Sequence, residues 1–174
     1  MHIETINISV HQVDSSVARA FIEALLLAPA LNEAQEGAAP VAAPAVTTAP
    51  KIGKYWLGQG GTYAGIARGL EGAPDYRLIL AELTPEDEFT WKGAQEFAKT
   101  VVADGHTDFS VPTRFESALL YASLQDKLGT DYWHWTSTQC SEGNAWSQDF
   151  NNGNQHLDNK TSERRCRFVR RSIL

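Results

Sequence analysis

A chain of 174 residues with 43% hydrophobic content allows one domain of ordinary size with an appendage, and supplies enough apolar surface for a core. A formal net charge of −6 argues against wholesale nucleic-acid binding. No apolar run approaches the roughly 20 residues of a membrane helix, so membrane insertion is not expected.

The first elements are small. Residues 2–10 alternate with period two and put Ile6, Ile8 and Val10 on one face, which predicts a strand or extended arm. Asp14-Ser15-Ser16 offers a helix N-cap, and Val17, Phe21, Ala24/Leu25 and Ala28 follow at helical spacing, predicting an amphipathic helix over 16–28 that stops at Pro29. Leu25-Leu26-Leu27 is too short and too far along for a signal peptide, and no basic run precedes it, so the chain is expected to be cytoplasmic where it is made. A unit this small cannot bury its own apolar face. Residues 1–33 therefore read as an arm that packs on the main domain, on a copy of itself, or on another protein. Residues 34–50, with Pro40, Pro44 and Pro50 among alanines, read as a stiffened linker or as a loop lying on the surface.

The head, 51–174, opens with a glycine-rich aromatic stretch. Gly53 to Ile66 reads as two short strands around a Gly turn, and Gly58-Gln59-Gly60-Gly61 lacks the later Gly-Lys-Ser/Thr of a phosphate loop. Tyr76–Ala81 is a third strand, and Thr84 to Glu88 an exposed acidic loop. Thr90 caps a helix expected to reach Val102, with Trp91, Ala94, Phe97/Ala98 and Val101 as its buried stripe. A second helix is expected from Arg114 to Leu128, with Phe115, Ala118/Leu119, Ala122 and Leu128 facing inward and Gly129 ending it. Tyr132–Thr138, Asn144–Phe150 and Arg165–Arg171 are strand-like runs, and Asn152-Gly153 between the last two is a hairpin signal. The order predicts an α+β domain with helices packed against an antiparallel sheet.

Residues 160–171 hold six of the fifteen Lys/Arg. They read either as a surface for phosphate or an anionic glycan, or as arginines that flank a terminal strand, pair with nearby acids and keep an edge soluble. Cys140 and Cys166 lack the second Cys pair or His-x-x-x-His of a zinc site. They pair if the protein ends outside a cell, or are small core residues in a reducing cytosol.

Five motifs follow one another in the head: Trp91-Lys92-x-Ala94-x-x-Phe97-Ala98; Asp108-Phe109-x-Val111-Pro112-Thr113-Arg114-x-Glu116; Tyr132-Trp133-x-Trp135-Thr136-Ser137-Thr138; Ala145-Trp146-x-x-Asp149-Phe150-x-x-Gly153; and Arg165-Cys166-Arg167-x-Val169-Arg170-Arg171. This order, over about residues 52–171, resembles the domain of unknown function found in bacterial surface proteins, phages and prophages, including the C-terminal domain of a collagen-like adhesin. That family's fold is similar to the C-type lectin fold, also used by formylglycine-generating enzymes and by variable proteins of diversity-generating retroelements. The Gly58-Gln59-Gly60-Gly61-x-Tyr63-Ala64-Gly65 segment looks like the phage and prophage branch. Two departures stand out. Asp108-Phe109-Ser110-Val111-Pro112 occupies the place where the family often has Trp-Arg-Leu-Pro, and Phe97-Ala98 the place of a cysteine often found in the first helix. Cys166 matches a family position, so a disulfide would have to use Cys140.

The resemblance implies a C-type-lectin-like head, two helices on short antiparallel strands. Calcium-dependent lectins hold sugar through carboxylates and Asn around the ion, and Asp149, Asn151, Asn152 and Asn154 are close in sequence. Calcium takes about six to eight oxygens, and the lectin motifs Glu-Pro-Asn and Trp-Asn-Asp are absent, so no metal and no cofactor is expected. The candidate ligand-binding surface is polar and studded with aromatics: Trp135, Asn144, Trp146, Asp149, Asn151, Asn152, Asn154 and His156. Trp135 and Trp146 also match family positions that pack a core. No nucleophile pattern surrounds His106, His134 or His156, and no catalytic residue is assigned.

The resulting expectation is a non-enzymatic phage virion protein, tail-, baseplate- or fibre-associated. Residues 1–33 join it to other tail proteins or to copies of itself, as in a trimer, and its head binds a host-surface glycan or protein. The alternatives are a purely structural tail component, a retroelement-type variable binding protein, and a cytoplasmic prophage accessory enzyme.

Overall fold

The computed structural model describes residues 48–174. The strand expected over 2–10, the helix over 16–28 and residues 34–47 of the linker lie outside the described residues.

Tyr76–Ala81 (β3) carries four consecutive buried residues, Leu78 to Ala81, because both of its faces are covered. Leu78 and Leu80 meet one core cluster, and Ile79 packs on the opposite side with Trp56 and Tyr63. Tyr55–Trp56 (β1) and Gly61–Ala67 (β2) flank it on one side and Val169–Ile173 (β7) on the other, giving an antiparallel sheet of order β1-β2-β3-β7. Gly61 permits the close approach of β2 to β3, since a Cβ there would sit 2.1 Å from the Leu80 carbonyl oxygen. A second antiparallel sheet joins Trp133–Gln139 (β4), Asn144–Asp149 (β5) and Gln155–Asn159 (β6). With two short helices, the described head is α+β, as the order of elements predicts.

The first helix, Trp91–Ala98 (α1), starts as expected: Thr90 Oγ1 accepts from the Gly93 amide at 3.2 Å. It ends four residues short of Val102. The β-branched run Thr100-Val101-Val102 favours other conformations, and the Thr100 hydroxyl donates to the Phe97 carbonyl at 2.7 Å. Val101 remains buried beyond the helix. Ala94, Ala98, Trp135, Phe168, Phe109 and Val111 form the core on this side.

The second helix, Arg114–Leu124 (α2), corrects the sequence reading on two points. It stops at Leu124 and passes into a 3-10 turn, Gln125–Lys127, before the buried Leu128. Its inner face is Glu116, Ser117, Leu120 and Leu124, whereas Phe115 is 66% exposed and Ala118 and Ala122 lie outside. The helix is rotated by the buried Glu116. This carboxylate closes a capping box with Thr113 and takes hydrogen bonds from Tyr76 Oη at 2.7 Å and from Arg171 Nε at 2.6 Å. The inner face therefore begins on a charge, which an apolar-periodicity reading passes over.

Three arginines of the last segment take the second of the two readings, whereas Arg165 and Arg167 form no ion pair among the described residues. Arg164 pairs with Asp158 at 2.9 Å, Arg170 with Asp108 at 2.7 Å and Arg171 with Glu116 at 2.6 Å. Cys140 is exposed and Cys166 buried, both as free thiols.

Candidate functional site

The hairpin β5–β6 positions the candidate surface. Its turn is built by short polar side chains that fold back on their own backbone. Asp149 Oδ1 accepts from the Asn151 amide at 2.8 Å, and Asn152 Oδ1 from the Asn154 amide at 2.8 Å. Gly153 supplies the positive φ, +80°, directly against the Tyr121 ring. Asp149 and Asn152 thus serve the turn, and Asn151, Asn152 and Asn154 are exposed at its tip.

Register divides the remaining residues between the two faces of the sheet. Across β5–β6, Asn144 opposes Asn159, Trp146 opposes Leu157 and Gln148 opposes Gln155. By strand alternation these three pairs share one face, while Ala145, Ser147 and Asp149 point to the other together with His156 and Asp158. The eight sequence-predicted residues therefore do not form one patch. Asn144 and Trp146 lie on the first face, Asp149 and His156 on the second, and the three asparagines at the turn. Trp135 belongs to the core: it is fully buried and its indole N–H donates to the Phe89 carbonyl at 2.7 Å, so it offers no surface to a ligand.

On the first face, Arg114 from the start of α2 lies over Trp146, with 3.6 Å from guanidinium carbon to ring centroid. Gln155 holds it there. Arg114 Nε donates to Gln155 Oε1, and Gln155 Nε2 donates to the Arg114 carbonyl at 2.9 Å and to Gln148 Oε1 at 2.8 Å. Beside this stack Leu157 is 39% exposed, and the amides of Asn144 and Asn159 are exposed one rung away. The result is a small amphipathic platform: an indole–guanidinium pair and an aliphatic side chain, bordered by two amides. Such a surface offers stacking area and adaptable hydrogen bonds to a flat, hydroxyl-bearing or peptide ligand. Sequence reading identified Asn144 and Trp146 and missed Arg114, Leu157 and Asn159. The x-Asn-x-Trp and Leu-x-Asn spacings across the Asn-Gly turn carry the hairpin members. Nothing local points to Arg114.

The second face is more tightly satisfied. Asp158 takes the Ser147 hydroxyl at 2.8 Å and Arg164 Nη2 at 2.9 Å. Burial alone would raise its pKa, but these hydrogen bonds hold it below the usual carboxylate range. His156 stands 5.9 Å from the Trp133 ring.

The thiols have different surroundings. Burial pushes the Cys166 thiol up to about 12, against the opposing pull of Arg167 and Arg165, which leaves it a poor nucleophile at neutral pH. Among the described residues no group of three or more His, Cys, Asp or Glu side chains is placed to hold a metal ion, and no helix is long and apolar enough to cross a membrane. No protein-family model matches the chain, and no curated protein sequence matches it either.

Proposed function

We propose that the chain is a non-enzymatic phage virion protein whose C-type-lectin-like head binds a host-surface glycan or protein through the Trp146 platform. The observation that carries this reading is the Arg114–Trp146 stack, clamped by Gln155 and open beside Leu157, Asn144 and Asn159. A pre-formed aromatic surface with rigid polar neighbours lowers the ordering cost of a weak contact. Several copies joined through residues 1–33 would convert such contacts into avidity. The buried, high-pKa Cys166 supports a binding role over thiol chemistry.

The test has two stages. Purified phage particles are imaged with an antibody against the head, with label expected at the tail. The purified protein is then applied to a glycan array, alone and as Trp146→Ala. Saccharide binding that the substitution removes supports the reading. Binding unaffected by Trp146→Ala excludes the platform, and particles without label exclude the virion role.

A purely structural tail component is the second reading. It is favoured by an apolar groove of about 400 Å³ between β2 and α2, where Ile66, Leu70 and Phe115 are 54%, 56% and 66% exposed. Label on the tail with a silent glycan array would support it.

A further inference from the structure

Arg165, Cys166 and Arg167 run behind the loop that follows β3. Arg167 is 4% exposed. Its Nη1 donates to the Thr84 hydroxyl and its Nη2 to the Lys127 carbonyl at 2.6 Å, while its Nε is buried without a partner. Arg165 donates Nη1 to the Pro85 carbonyl at 3.2 Å and lies 4.4 Å over the Tyr132 ring, and its Nε is likewise buried without a partner. Nearby, His134 is 4% exposed with an unpartnered Nδ1, and burial lowers its pKa to about 4, so the ring is neutral. Of the five unpartnered buried side-chain atoms among the described residues, these three belong to side chains that line two hollows.

The larger hollow, about 290 Å³, is lined by Thr62, Glu82, Thr84, Lys127 and Arg167. The smaller, about 160 Å³, is lined by Tyr132, His134, Arg165 and Asp131, and shares Thr84 with the first. A buried guanidinium is costly unless it is paired, and it ordinarily takes a carboxylate. Among the described residues neither arginine has a carboxylate hydrogen-bonded to it. The Glu82 carboxylate instead takes the Thr62 hydroxyl at 2.5 Å and acts on Arg167 only through space. Among the described residues lining the two hollows are three cations, Lys127, Arg165 and Arg167, and two acids, Glu82 and Asp131, an excess of one positive charge.

We infer that the two hollows form one binding site for a small monoanionic carboxylate, which completes the hydrogen bonding of Arg167 and Arg165 by competing with the neutral Thr84 hydroxyl and Pro85 carbonyl. Charge selects a singly charged group over phosphate, and the planar guanidinium edge matches a carboxylate. The site shares no residue with the Trp146 platform and does not depend on it. The carboxylate has two sources, a free small acid or an acidic saccharide.

The experiment follows the Arg165 and Arg167 Nε–H resonances of the ¹⁵N-labelled full chain by NMR. Sodium acetate, sodium glucuronate and sodium chloride are titrated at constant ionic strength. Saturable shifts of both signals with either carboxylate, and none with chloride, are expected. A stronger response to glucuronate identifies the saccharide acid as the source, and an equal response the free carboxylate. Arg167→Gln is expected to abolish the Arg165 response, and Lys127→Ala, at an exposed position, to weaken it about three-fold. Non-saturating shifts, a chloride response of equal size, or full affinity in the Lys127→Ala variant overturns the inference.

Discussion

Arg171 reaches Glu116 with two parallel hydrogen bonds, Nε to Oε1 at 2.6 Å and Nη2 to Oε2 at 2.7 Å, and so ties the last strand to the helix across the domain. The carboxylate is 1% exposed, and the Thr113 amide and Tyr76 hydroxyl take up its remaining capacity. Removing the acid leaves a guanidinium and a phenol facing an uncharged group. Glu116→Gln is expected to cost about 3 kcal/mol in urea unfolding, the range for breaking one side of a buried pair. A loss within experimental error would show that the pair contributes nothing net.

The same carboxylate sets an acid limit. Burial alone would raise the Glu116 pKa, but Arg171 and the other donors hold it below 4.5. A depressed folded-state pKa contributes stability that is present above the unfolded value and is lost as pH falls through the folded one. Wild type is therefore expected to lose stability below about pH 4.5 more steeply than Glu116→Gln. Parallel curves from urea midpoints would refute this.

His134 acts in a higher window. Burial moves its pKa from 6.5 to about 4, so between these values the unfolded chain binds a proton that the native protein does not. Stability then falls as pH drops from 6.5 to about 4, by about 3 kcal/mol in all, and is level in this respect below that. In His134→Gln this limb should be absent, whatever the variant's overall stability. Its persistence would assign the limb to another group.

Phe115 and Leu120 sit on opposite sides of α2. Leu120→Ala is expected to cost about 3 kcal/mol by leaving a cavity, whereas Phe115→Ser should cost less than about 1 kcal/mol because its ring is 66% exposed. Comparable losses at both positions would restore the inward orientation of Phe115 that helical spacing suggests.

The two thiols should separate cleanly. A maleimide reagent is expected to label the exposed Cys140 in the native protein at once, and Cys166 only after denaturant is added. Mass spectrometry of tryptic peptides distinguishes them, and native labelling of Cys166 would contradict its burial.

Where neighbouring residues alone decide the start of an element, the sequence reading holds, but both helix ends fall short of it. The strand Tyr76–Ala81 and the Thr90 cap each follow from adjacent residues and stand where expected. The Asn152-Gly153 turn forms, but it joins β5 to Gln155–Asn159 instead of to the expected run Arg165–Arg171, whose strand is Val169–Ile173. The misplaced face of α2 has a different origin. Its orientation is decided by a partner, Arg171, that lies 55 residues away, and a buried Glu is invisible to an apolar pattern. The binding surface divides in the same way. Asn144 and Trp146 share a face through strand alternation alone, but Arg114 joins them only because α2 begins above the sheet. Trp135 and Trp146 are both tryptophans on neighbouring strands, and only the packing of Phe89 and α1 over one of them decides which is core.

The pairing of β7 with β3 bears on how the chain acquires its structure. Leu80 and Val169 are partners separated by roughly ninety positions, and every other described strand and both helices lie between them or before them. The first sheet therefore stays open until its final strand arrives, and until then the all-apolar run Leu78-Ile79-Leu80 presents an unpaired edge. Contacts this distant make for slow closure, and the waiting intermediate has the edge through which strands of separate molecules associate. High expression temperature and concentration should consequently shift the yield from native protein toward inclusion bodies, through a step that precedes the native state and is indifferent to how stable that state is.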